Sequence, residues 1–252
     1  HAPVLRARPR PQRRARAGWI LERVYDNHSH WLTAHLPKVL LARERGLLPD
    51  LVLPARRTGT MDASLRMLGI DPEAQPQVDT DRPLDADEMI LIETDRFRPE
   101  LLRPVREAMV PPDLRPHRRV FISREGARAR RLRGEEALRP ELEARGFEMV
   151  RMETLDFPAQ VRLMAETAVL AAPHGAGLTN MMFCPEGAQV LEIADPAYPN
   201  PNFYALACAM GLGYRTAPAR SVGEGHILFR DLEADPGTVL AQVDAMLAEA
   251  AA

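Results

Sequence analysis

Residues 169–183, VLAAPHGAGLTNMMF, decide the fold class. An apolar run ends at Pro173, a turn carries His174, Gly175 and Gly177, and an apolar segment opened by small residues follows. That is the pattern of a buried strand passing into a helix. Glycine permits the sharp turn and a close backbone approach, and the first N–H groups of a helix, at its positive dipole end, suit a phosphate. Such turns also serve plain packing in many α/β folds. His174 tilts the balance, because an imidazole held between proline and glycine at the carboxyl end of a strand stands where open α/β sheets bind ligands.

Working outward, the second half alternates regularly. Strands are expected at RVFIS (119–123), FEMVRM (147–152), VLAAP (169–173), AQVLEI (188–193) and GYRTAPA (213–219), with a further one at 227–229. Helices are expected at 135–145, 157–167, 177–183, 202–210 and 237–250. Short strands separated by helices argue for a parallel sheet covered on both faces. The first half shows a weaker β-α-β rhythm: a strand at WILERVY (19–25), a helix at 30–45 kinked by Pro37, strands at DLVLPA (50–55) and EMILIET (88–94), and helices at 62–68 and 99–108. The Pro-rich PPDLRPHRR (111–119) reads as a linker, which places one domain at 18–112 and the other at 113–252. The opening seventeen residues, HAPVLRARPRPQRRARA, have no apolar periodicity and are expected to be extended or disordered, an Arg/Pro-rich segment ahead of the folded part.

Two further segments carry chemistry. In VFISREGARARR (120–131) a strand ends in Ser123-Arg124, at the same sheet edge as His174, and a guanidinium there suits phosphate oxygens. Arg130 and Arg133 read as a solvated face. In YDNHSHWLTAHLPKVL (25–40), His28, His30, Trp31 and His35 crowd a helix start. His30 and His35 lack the sulfur or acidic partners of a zinc set, so no metal is expected. A His-Trp pair can offer a base and an aromatic wall for a sugar, or simply cap and core residues.

The runs SREGARARRLRGEE (123–136) and RGFEMVRMETLDFPAQVRLMAETAVLAAPHGAGLTNMMFCPEGAQVLEI (145–193) resemble the family 61 glycosyltransferases, and NHSHWLTAHLPKVLLARERG (27–46) is similar to that family's N-terminal signature. The resemblance implies an α/β, GT-B-like architecture, two Rossmann-like domains with mostly parallel sheets facing a cleft. It implies metal-independent, inverting transfer from a nucleotide sugar, expected to be UDP-linked, to a glycan or glycoconjugate hydroxyl. A nucleotide-sugar substrate is then expected, with no separate cofactor. Residue by residue, it assigns donor binding to Ser123, Arg124, Arg131, the run His174, Gly175, Ala176, Gly177, Leu178, Thr179 and Asn180, and Glu192, whose carboxylate can accept from ribose or sugar hydroxyls. Trp31 joins the substrate-binding set, and His30, His35 and His174 are the catalytic candidates. The sequence departs from the family twice: the acid four residues after the His of His-Trp is Ala34, and the Asn before Glu135 is Gly134. Either His30 or His35 then acts as base, a carboxylate arrives from elsewhere, or the chain binds without transferring.

Composition limits the alternatives. Among 252 residues, 33 basic and 35 acidic side chains give a formal charge of -2, which removes the global attraction that nucleic acid requires. The two cysteines, Cys184 and Cys208, fit neither a disulfide framework nor zinc, so a reducing, cytoplasmic setting is expected, with membrane-associated pathway partners.

Overall fold

The computed structural model describes residues 9–250, which divide into two compact units between Arg96 and Phe97. The division falls ahead of the Pro-rich stretch, so the helix Pro99–Met109 goes with the second unit, where Arg103 and Arg106 donate to the carbonyls of Ala209 and Cys184. Among the described residues no helix is long and apolar enough to cross a membrane.

In the first unit the Arg-rich start takes, over residues 12–17, the extended of its two expected forms. Residues 1–8 lie outside the described residues, but Gln12–Trp19 (β1) is a strand paired in parallel with Leu84–Leu91. Arg13 pairs with Asp85 and Asp87, and Arg16 with Asp50 and Glu88, so two arginines of β1 meet acids across the ladder and beside it, while Arg14 donates to the Gln77 carbonyl. Exposed pairs of this kind are individually weak. Burial of Ala17 and the close approach of Gly18 to Leu51 fix the strand more firmly. After β1 the segment expected as strand 19–25 is irregular. The short strands Leu53–Pro54 (β2) and Gln77–Val78 (β3) pair with each other, and a parallel bridge joins Gly18 to Leu51. With Leu84–Leu91 as β4, the unit has two parallel pairs, β1-β4 and β2-β3, and the bridge at Leu51, just ahead of β2, links them. The helical path runs through His28–His30 (α1), a π-helical stretch Trp31–His35, and Leu36–Glu44 (α2). Pro37 has no N–H to return to Thr33, and the wide turn in which Leu36 N bonds Trp31 O absorbs that missing bond. Gly59–Met67 (α3) completes the unit.

The second unit is a seven-stranded, mostly parallel sheet. Its strands are Arg118–Ile122 (β5), Leu132–Arg133 (β6), Phe147–Val150 (β7), Thr167–Pro173 (β8), Gln189–Ala194 (β9), Gly213–Val222 (β10) and Asp231–Ala234 (β11), in the order β6-β11-β10-β9-β8-β5-β7. The five strands β7-β5-β8-β9-β10 are parallel, and β11 runs against β10. Numbered along the chain, that core has the order 2-1-3-4-5, the doubly wound arrangement whose order reverses between its first and third strands. The helices are Pro99–Met109 (α4), Glu135–Ala144 (α5), Phe157–Ala165 (α6), Asn202–Met210 (α7) and Pro236–Ala250 (α8). Alternate strand residues separate the two faces: Val169, Ala171, Leu191, Ile193 and Ala217 join Leu138, Leu142, Val239 and Val243 in one core cluster, under α5 and α8. Ala172, Glu192 and Thr216, in register side by side, point to the opposite face. The expected helix after His174 is a 3-10 helix, Ala176–Phe183, and the strand expected at 227–229 is a 3-10 turn with β11 just beyond it.

Candidate functional site

The order reversal lies between β5 and β8, and their carboxyl ends deliver Ser123-Arg124 and His174-Gly175 to the same crevice. Gly175 has extended backbone, φ 177°, and its role is space: a Cβ there would lie 2.8 Å from the Arg124 Cζ. The guanidinium therefore rests on the turn. Arg124 Nε donates to the Arg130 carbonyl at 2.8 Å and Nη2 to the Ala129 carbonyl at 2.7 Å, which leaves Nη1, over Gly175, available to a ligand. Burial, then the nearby charge of Arg130, push the Arg124 pKa down to about 10, which keeps it cationic at neutral pH. Helical bonding begins only with Leu178 N to Gly175 O, so the N–H groups of Gly175, Ala176 and Gly177 precede it, and Ala176 and Gly177 are partly open.

His174 is buried behind this turn. Its N–H bonds the Ile193 carbonyl at 2.9 Å, its ring meets Phe203 and Tyr198 edge-on, and its Nδ1 bonds the Glu192 carboxylate. The other Glu192 oxygen accepts from the Tyr214 hydroxyl. Burial and the Glu192 charge raise the Tyr214 pKa, so the phenol stays a donor. Glu192 is therefore the acceptor on both sides, His174 Nδ1 carries the proton, and Nε2 is the nitrogen left for chemistry. A cavity of about 500 Å³ opens beside Glu192, lined by Tyr198, Asn200, Tyr204, Tyr214 and Thr216.

Several assigned residues are already engaged by their neighbours. Glu192, 2% exposed at the edge of that cavity, is engaged by His174 and Tyr214 and orients the imidazole. Leu178, Thr179 and Asn180 are buried, and Asn180 donates to Gln160, which itself holds the Met152 and Leu155 carbonyls, so this part of the motif packs the turn from behind. Ser123 is also buried. Its hydroxyl accepts from Glu125 N and bonds Glu135, so it shapes the loop instead of touching substrate. Burial raises the Glu135 pKa, and its Oε2 accepts from Arg124 N at 3.3 Å. Arg131 is exposed and its guanidinium is paired with Asp231 at 3.0 Å. Arg130, read from sequence as solvated, is half-buried with a left-handed φ of 57°. Nothing in the Arg-rich run announced which arginine turns inward. Gly134 stands at φ 77°, a conformation that glycine and asparagine both favour, so the missing Asn costs the fold nothing there.

In the first unit, Trp31 is 1% exposed and donates to Ser64 Oγ at 2.9 Å, which makes it core rather than a sugar platform. His35 stacks on it, fully buried. Its Nε2 accepts from Glu22 N at 3.0 Å, so its Nδ1 holds the proton and donates to the His30 carbonyl. With both nitrogens bound to backbone, and burial pushing its pKa down to about 4, His35 is a structural residue, not a base. Ala34 is likewise buried. His30 is half-buried; its Nδ1 is closed off with no hydrogen-bond partner, and burial followed by the charge of Arg96 lowers its pKa.

A family model described as Glycosyltransferase 61 matches residues 28–191, which include both the His30 helix start and the whole crevice sequence from Ser123 to Asn180. The chain belongs to glycosyltransferase family 61. It is also 33% identical over 114 residues to an EGF domain-specific O-linked N-acetylglucosamine transferase of Drosophila melanogaster. That match spans 42% of this chain and 22% of the fly protein.

Proposed function

We propose that this family 61 chain transfers a sugar from a nucleotide-sugar donor, UDP-linked in the first instance, to a hydroxyl of a glycan or glycoconjugate, with inversion. In this GT-B-type reading the second unit holds the donor and the first unit serves the acceptor. The observation that carries it is the Arg124 guanidinium lying on Gly175 at the order reversal of the sheet, with unbonded helix-start N–H groups beside it. Charge grows on the departing nucleoside diphosphate, and cationic and N–H donors fixed there stabilise the transition state more than the ground state. Those donors can do so without a divalent ion. In its imidazolium form, with Nδ1 bonded to Glu192, His174 offers its Nε2–H as a further donor to the same oxygens. The acceptor hydroxyl needs a base, and with His35 committed to backbone and Ala34 inert, His30 is the histidine left to supply it.

The test is a thermal-shift screen against UDP, GDP, CMP and their sugars, N-acetylglucosamine included, since a ligand of the folded state raises its apparent stability. Arg124→Ala and His174→Ala should each cut donor affinity or turnover at least about tenfold while circular dichroism is unchanged. Wild-type donor affinity in both variants would remove the assignment. Buried Ala34 favours a second reading, a nucleotide-binding module without turnover. Binding with neither transfer nor hydrolysis across the panel would select it.

A further inference from the structure

The loop from Arg124 to Arg131 holds two neighbouring arginines in opposite ways. Arg131 is pinned outward: its N–H and its guanidinium both bond Asp231, and its carbonyl accepts from Leu232 N at 2.8 Å. Arg130 then takes the left-handed backbone, φ 57°, that a long side chain rarely adopts. Its carbonyl is held by Arg124 Nε at 2.8 Å. The side chain is half-buried, and Arg124, together with Glu192 and Tyr198 on the wall of the aromatic cavity, are among its electrostatic neighbours. Yet its Nε is closed off with no hydrogen-bond partner, and among the described residues no carboxylate lies within ion-pair distance.

An unpaired, half-buried cation beside a second cation, on a left-handed backbone, is a costly arrangement for a residue that serves only the fold. A dianion between the two guanidinium groups would relieve both the repulsion and the missing hydrogen bonds. We infer that Arg130, rather than Arg131, is the second cationic contact of the donor diphosphate, forming with Arg124 a two-arginine clamp across the turn at Gly175. The inference rests on the donor reading above and adds to it a specific partner residue.

The decisive experiment is calorimetric titration of the full chain with inorganic pyrophosphate and with UDP, without divalent ions, alongside melting of the ligand-free protein. Asparagine tolerates the left-handed backbone and removes the charge. Arg130→Asn should weaken both ligands about tenfold to a hundredfold and flatten the salt dependence, while its ligand-free melting temperature holds or rises. Arg131→Ala should bind within about twofold of wild type. Should Arg130→Asn melt lower or misfold, Arg130→Gly, which also fits the backbone, gives the second reading; a fall in both variants marks a structural residue and overturns the inference. Undiminished binding in Arg130→Asn, with binding lost in Arg124→Ala, overturns the inference alone. A folded wild-type chain that binds neither pyrophosphate nor any nucleoside diphosphate overturns the donor reading with it.

Discussion

At the scale of single residues, titration follows from burial. His35 is neutral in the fold, with a pKa pushed down to about 4 from the ordinary 6.5. Between those values the unfolded chain binds the proton and the folded chain does not, so stability rises with pH across that window. The contribution of His35 is complete above pH 6.5 and is lost as pH falls toward 4, on the order of 3 kcal/mol if the full shift is realised. Thermal unfolding from pH 4 to 7 should show this slope in the wild type and a shallower one in His35→Gln, where His30 and the carboxylates still titrate. Parallel pH profiles would remove this account of acid sensitivity. Gly175→Ala tests space in the same way: the methyl displaces the Arg124 guanidinium, so pyrophosphate affinity should fall about tenfold while the melting temperature moves little. Tenfold weaker binding in Arg124→Ala with none in Gly175→Ala would show that the guanidinium does not act from its place on the turn.

Elements were legible in the sequence where period and punctuation agreed. The strands and helices from Arg118 to Met210 stand close to where the alternation puts them, because each strand is a short apolar run closed by a turn residue. The misses have physical causes. Gln12–Trp19 carries no apolar alternation, since its partners are acids beyond position 49, and charge complementarity over such a separation leaves no local trace. Asp231–Ala234, between the two-residue edge strand Leu132–Arg133 and β10, has one buried residue, too little apolar content to register. Because Ala17 is buried and Gly18 bridges to Leu51, β1 is needed by its unit. Deleting residues 1–17 should therefore expose β4, speed amide exchange across residues 84–91, and lower the first unfolding transition by several degrees. Unchanged exchange would return the segment to the status of a tail.

For the whole molecule, sequence located the crevice but could not sort its occupants. The glycine turn and Arg124 were legible because a sheet edge and a strand terminus define them, whereas the inward or outward sense of Arg130 and Arg131 depends on Asp231, a hundred residues away. Glu192 was legible only as an acid ending a strand; its register beside Ala172 and Thr216 is what buries it against His174. The same sorting decides the base. Of the two histidines first considered in the N-terminal unit, one has both nitrogens bound to backbone, which leaves His30 for proton transfer. If the reaction divides between the units as proposed, a lesion at His30 must separate transfer from donor binding. His30→Asn should lower kcat for transfer by about a hundredfold or more, leave the UDP dissociation constant unchanged, and remove the acid limb of the pH–rate profile. That limb should fall below pH 6.5, because burial and Arg96 both lower the His30 pKa. Wild-type turnover in His30→Asn would move the base to a carboxylate, and Glu22, whose pKa is lowered by Lys38 against its own burial, is the next to substitute.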